Sequence, residues 1–283
     1  LKAIIAVALL AAAAAGAIEV VYVKSFSNYS DYGLAVSSAG YIFNPGWAYT
    51  YVYTPNGSLV RTWPNQEIAY DCDVDNHGYV YQCEAEGAQQ WWPRRIYKYT
   101  EAGSFVASFG FGWSLDARGI ASDDGGYLYT CSYYAQTISK ITTAGSLVAT
   151  WPYNHWKLTV GPEGYIYTTG GTPPISAYTP EGSVVRRWGQ YGQGPGLFET
   201  ARDITFDRFG YAHIGDEDGV EVFTSTGSFV THYGEQETGR AVLLDASPSG
   251  YIYVVDWGEI DVYYVSGDAV APASLGRIKA LFR

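Results

Sequence analysis

Four histidines, three cysteines and a scatter of aspartates are the residues of this chain that could do chemistry. A catalytic zinc needs about three ligands converging on one point, with outer partners to orient them. His77, His155, His213 and His232 are far apart, and the repeat register derived below puts them at different heights and radii. They are expected to be isolated structural or surface residues. Cys72, Cys83 and Cys131 form no CxxC pair and no Cys/His cluster. Their spacing leaves open a disulfide between two of them, with one left over, or three buried free thiols. The stretch Asp71-Cys72-Asp73-Val74-Asp75-Asn76-His77-Gly78 sets oxygens at alternate positions, as a calcium loop does at its start. The loop glycine is missing at Asn76, and the bidentate Glu position holds Gln82. An Asp/Asn-rich hairpin turn explains the stretch equally well.

Asp207, Asp216, Asp218 and Asp256 fall at strand ends, where carboxylates commonly bond turn backbone. General acid–base work would need two of them facing one pocket with shifted pKa values. The segment Glu84 to Arg95 is the longest insertion in any repeat. Its Trp91 and Trp92, beside Arg94 and Arg95, would be costly to expose without a partner. It reads as a candidate contact loop: a subunit contact, a sugar-stacking platform, or a flap packed on the domain. Asn28-Tyr29-Ser30 and Asn56-Gly57-Ser58 are N-glycosylation sequons. No GxSxG, P-loop or dinucleotide fingerprint occurs. The expectation is therefore no catalytic residue, no metal site and no cofactor.

The elements that would carry these residues follow from composition and repeats. Charged residues make up 16% of the 283, while there are 33 glycines and 27 tyrosines, which suits a compact β protein. The net charge of −11, with no basic stripe to offset it, argues against a nucleic-acid partner. A Gly-aromatic-x-aromatic pattern recurs every ~40 residues, a propeller-blade period. It stands at Gly40-Tyr41-Ile42-Phe43, Gly78-Tyr79-Val80-Tyr81, Gly126-Tyr127-Leu128-Tyr129, Gly164-Tyr165-Ile166-Tyr167, Gly210-Tyr211-Ala212-His213 and Gly250-Tyr251-Ile252-Tyr253. A turn ending in Gly and a short apolar strand follow, as at Tyr99-Thr100-Glu101-Ala102-Gly103-Ser104-Phe105-Val106. Each repeat thus reads as four strands, a to d, with Tyr-x-Tyr on strand b and Ser-apolar-Val on strand d.

This pattern resembles NHL repeats, most closely from Trp188-Gly189 through Gly192-Gln193-Gly194-Pro195-Gly196-Leu197-Phe198 to Asp207. The resemblance implies an all-β, six-bladed β-propeller of four-stranded antiparallel blades over residues 19–270, with 271–283 as a tail packed outside. The last repeat lacks a strand d. Tyr22-Val23-Lys24-Ser25-Phe26 resembles the strand d at Phe105 to Phe109 and is expected to close the ring.

Residues 1–18, LKAIIAVALLAAAAAGAI, have neither strand alternation nor turns. As an N-terminal apolar α-helix they would rise roughly 27 Å. One reading is a signal peptide, with Lys2 before an apolar Ala3 to Leu10 and a small-residue site at Ala15-Gly16-Ala17. The other is a retained helix, favoured by the start at Leu1 and the absence of Met. A chain that opens on such a helix resembles type IV pilins, although Leu1 and Ile5 stand where bacterial pilins carry Phe and Glu. Small side chains allow close helix packing. Leu1, Ile4, Ile5, Val7, Leu9, Leu10 and Ala13 would form the assembly face, and Gly16 a break before the propeller.

The expectation is therefore an extracellular, cell-surface structural subunit and not an enzyme. Its partner would be itself, as a helical homopolymer, with membrane contact only before assembly or through the helix. The competing class is a secreted or anchored propeller that binds a glycan or a surface protein. A third, a metal-dependent lyase or hydrolase, lacks a ligand set.

Overall fold

The computed structural model describes residues 18–85, 94–110, 117–132, 135–152, 156–234, 243–267, 278 and 280. The helix residues Leu1, Ile4, Ile5, Val7, Leu9, Leu10, Ala13 and Gly16 lie outside the described residues, as do Trp91, Trp92 and His155. Among the described residues, alternating apolar residues between glycine turns produce 24 strands. The first, β1 (Glu19–Ser27), stands apart from the sequential blades. Blade 1 is β2 (Ala35–Val36), β3 (Ile42–Pro45), β4 (Tyr49–Tyr53) and β5 (Leu59–Pro64). Blade 2 is β6 (Ile68–Val74), β7 (Tyr79–Ala85), β8 (Arg94–Thr100) and β9 (Phe105–Phe109). Blade 3 is β10 (Ala117–Ser122), β11 (Tyr127–Ser132), β12 (Thr137–Thr142) and β13 (Leu147–Pro152). Blade 4 is β14 (Leu158–Val160), β15 (Ile166–Thr169), β16 (Ile175–Tyr178) and β17 (Val184–Trp188). Blade 5 is β18 (Asp203–Phe206), β19 (Tyr211–Asp216), β20 (Gly219–Thr224) and β21 (Phe229–Tyr233). Blade 6 is β22 (Leu243–Ala246), β23 (Tyr251–Asp256) and β24 (Glu259–Ser266), completed by β1.

Each sheet is antiparallel, so the chain is an all-β, six-bladed propeller of four-stranded blades. Ring closure follows the expected route. β1 pairs with β24, with Glu19 opposite Ser266 and Phe26 opposite Ile260. Each blade then has its four strands, and its unpaired edges are the inner one at the axis and the outer one at the rim. Ile18, the last residue of the apolar run, is buried with Val220, Val222 and Val265 between blades 5 and 6. Of the tail, Ile278 packs half-buried against the cluster of Val23, Leu34 and Tyr253.

The core is a set of clusters between blades. An aromatic near the end of one blade's outer strand sits on the c–d turn glycine of the next blade. Trp63 covers Gly103, Trp151 covers Gly182 and Trp188 covers Gly227. At Gly103 φ is +87°, and an added Cβ would lie 2.5 Å from Trp63 Cε3. Both the left-handed backbone and the ring above exclude a side chain. Gly103→Ala is expected to cost about 1–2 kcal/mol, read as a lower midpoint in chemical denaturation.

Candidate functional site

The innermost strands place a set of buried ionisable side chains around the ring axis. Asp71 on β6 pairs with Lys157, just before β14, at 2.5 Å. Its second oxygen accepts the Ile120 N–H of β10 at 3.0 Å. Asp73 accepts the N–H and the hydroxyl of Ser122. Asp203 accepts the Leu244 N–H of β22 at 3.1 Å. Asp245 accepts the Val36 N–H of β2 at 2.7 Å and the Thr205 hydroxyl at 3.0 Å. Each carboxylate therefore ties its own inner strand to the inner strand of the next blade. Such bonds satisfy N–H groups that the sheet ladders leave open at the axis.

Burial pushes Asp73 and Asp203 up to about 6 and Asp245 up to about 8. Desolvation also raises Asp71, against the pull of Lys157. At Lys157 burial opposes the charge, but Asp71 and Asp203 outweigh it and hold the ammonium above its ordinary pKa. A cluster of shifted groups is a candidate functional site. Here, however, the carboxylate oxygens are occupied by backbone N–H groups, hydroxyls and the lysine. That is the pattern of a structural clasp.

A second repeated device lies at the a–b turns. Asp75 accepts the His77 and Tyr79 N–H groups and the Tyr81 hydroxyl. Asp123 does the same for the Tyr127 N–H and the Tyr129 hydroxyl. In blade 5, Asp207 accepts the Phe209 and Tyr211 N–H groups, and His213 replaces the tyrosine, with Nε2 at 3.1 Å from Asp207 and Nδ1 at 3.0 Å from Tyr233 Oη. His213 is fully buried, so it stands in for a blade tyrosine and faces no opening. His77 lies in an a–b turn and His232 on β21, as their register implied.

The calcium-like spacing does not form a loop. Asp71 and Asp73 face blade 3, and Asp75 binds its own turn. Among the described residues, no three His, Cys, Asp or Glu side chains gather to hold a metal. Asp216 accepts the Glu199 and Thr200 N–H groups of the inter-blade loop. Asp218 lies in the b–c turn of blade 5, where its charge helps to raise Asp216, and Asp256 ends β23. Cys72, Cys83 and Cys131 are buried thiols and none is in a disulfide, which settles the choice left open by their spacing. Burial raises the Cys72 thiol and pushes Cys131 up to about 12, so neither is a ready nucleophile. Asn28 is buried, and its Nδ2 donates to Ser30 O and Asp31 Oδ1. A buried, engaged amide does not suit a glycan acceptor in the folded protein. Asn56, by contrast, sits on the c–d turn of blade 1, where Lys24 Nζ donates to its carbonyl. Arg94 opens β8, and half-buried Arg95 donates to the Ser108 hydroxyl at 3.4 Å.

The exposed large side chains sort by end of blade. Strand alternation puts a–b and c–d turns at one end, and b–c turns and inter-blade loops at the other. At the second end the exposed groups are Tyr29, Trp47, Tyr49, Trp156, Tyr191 and Trp257. At the first they are Leu59-Val60, Phe105-Val106, Leu147-Val148, Val184-Val185, Phe209 and Phe229. Among the described residues, then, Trp and Tyr are exposed at one end and only Leu, Val and Phe at the other.

No protein-family model matches the sequence, and no curated protein does either. Among solved structures, the chain is similar to a protein of unknown function from Bacteroides thetaiotaomicron. Identity is 14%, over 88% of this chain and 76% of that one, with a TM-score of 0.67. It is also similar to virginiamycin B lyase from Staphylococcus aureus, at 14% identity, 85% and 83% coverage and a TM-score of 0.60. The WD40 propeller domain of Doa1 matches at 13% identity, 86% and 79% coverage and a TM-score of 0.61. At these identities the likeness is one of fold, and it is to β-propellers.

Proposed function

We propose that this chain is a structural subunit of an extracellular, pilus-like filament. The apolar residues 1–18 would pack with their copies into the core, and an NHL-like propeller would be displayed outside. The reading rests on the apolar N-terminal run together with one feature of the fold. β1 enters the closing blade at Glu19, opposite Ser266, and so starts at the c–d end. That is the end where the exposed groups are aliphatic or Phe. The apolar segment therefore leaves the ring from the end whose surface favours association with apolar partners. Its exit is held by a full strand of backbone pairing rather than by a linker. The axial carboxylates, engaged in joining blades, fit a rigid scaffold better than a catalytic pocket.

N-terminal sequencing of native surface material, with electron microscopy of the same fraction, tests the proposal. The expected result is a native chain that still carries residues 1–18 and filaments with a helical repeat. A first residue near Ile18, or only monomers, overturns it and leaves a secreted propeller.

A further inference from the structure

We infer that the junction of blades 6 and 1 carries a binding site for a neutral saccharide chain, with Trp257, Tyr29 and Trp47 as its stacking surfaces. This is independent of the filament reading.

The first observation is how the three rings are held. The segment from Asn28 to Asp31 bridges two b–c turns. Asn28 N–H donates to Gly258 O at 2.9 Å, and Gly258 N–H to Asp31 Oδ1 at 3.3 Å. On the other side, the Ser30 hydroxyl donates to Pro45 O at 2.6 Å. Behind Trp47, Asn65 Nδ2 donates to Gly46 O and Asn65 N–H to Ala48 O. These bonds bring Trp257, Tyr29 and Trp47 onto neighbouring, cross-linked turns. The three side chains are nevertheless 67%, 65% and 65% exposed. Tyr29 stacks at 4.8 Å on Tyr51, which leaves its other face open. Rigid backbone and exposed aromatic faces make a preorganised surface.

The second observation is backbone strain. Trp257 has φ +27° and is followed by Gly258 at φ +95°. In a two-residue hairpin turn of this kind, Asn, Asp or Gly fits the first position without cost. A bulky aromatic at positive φ is disfavoured, and such outliers gather at functional sites. A strained ring that folding would sooner replace, and that is two-thirds exposed, is accounted for by a ligand.

The chemistry selects the ligand. Among the described residues, no Leu, Ile, Val or Phe is among the exposed large groups at this end, so the described surface does not offer the aliphatic filling of a protein–protein interface core. Flat rings set among Asn, Ser and Asp match a ligand whose C–H faces alternate with hydroxyls. The net charge of −11 disfavours an acidic glycan.

The test titrates the full chain with four neutral hexasaccharides: β-1,4-glucan, β-1,3-glucan, β-1,4-xylan and α-1,6-mannan. Calorimetry is expected to show sub-millimolar binding of at least one. Trp47→Ala should weaken that binding at least tenfold. Trp257→Asn should weaken it as much while raising the melting temperature by about 2–4 °C, so lost binding cannot be lost folding. Leu59→Ala, at the opposite end, should leave binding unchanged. No binding of any of the four, or binding that both Trp variants retain, overturns the inference. Loss of self-association in those variants, with no saccharide bound, would assign the surface to a second copy instead.

Discussion

Lys157→Met is expected to destabilise the propeller by about 3–5 kcal/mol, because it strands the carboxylate of Asp71 at the ring axis. Asp71 and Lys157 lie 2.5 Å apart and are both almost wholly out of water. With the ammonium gone, Asp71 keeps only backbone donors, the N–H groups of Ile120 and Cys72, and no opposite charge. The pair joins blade 2 to the start of blade 4, while Asp71 also holds blade 3, so the loss falls where three inner strands meet. The double change Asp71→Asn, Lys157→Met removes both charges and should recover most of the loss, since apolar replacement of a buried pair is often close to neutral. Urea denaturation of the wild type, both single variants and the double variant measures the coupling. Equal losses in Lys157→Met and the double variant would mean that the lysine acts through packing and not through its charge.

The number of blades, their strand register and the closing strand were all legible in the sequence. They depend on local patterns: Tyr-x-Tyr after a glycine, and the echo of Phe105 to Phe109 in Tyr22 to Phe26. The axial clasp was not legible. Asp71 and Asp73 look like the start of a calcium loop when only their neighbours are considered. Their partners, Lys157 and Ser122, lie in other blades and belong to no motif. One signal was available: two carboxylates on an inner strand, Ile68 to Val74, that should be apolar if both faces were packed. Likewise, the exposed tryptophans at Trp47 and Trp257 each sit alone in the sequence. Only the ring brings their turns together through Asn28 and Ser30. The tandem Trp91-Trp92 is conspicuous in the sequence because it is local.

The same axial acids predict that the protein grows less stable as pH rises from about 4 to 8. A carboxyl that is more basic in the folded chain than in the unfolded one leaves the native state holding more protons across that interval. Stability must then fall with rising pH. Below the unfolded carboxylate range near 4 the contribution is complete. It declines through about 6 as Asp73 and Asp203 ionise, and through about 8 as Asp245 does. At about 1.4 kcal/mol per pKa unit, the three shifts together set a ceiling on the order of 10 kcal/mol. Glu84, pushed by burial to about 7 and holding the Glu67 N–H and the Tyr99 hydroxyl, acts in the same direction. Melting temperatures taken at half-unit steps from pH 4.5 to 8.5 should therefore drop steadily, whereas most proteins peak between 5 and 8. Asp245→Asn isolates one group. Its amide oxygen can still accept the Val36 N–H, so the fold should persist while the slope between about 6 and 8 flattens. A melting temperature that rises with pH over this range, or a slope that Asp245→Asn leaves unaltered, would mean that water reaches the axis and ionises these acids at ordinary cost.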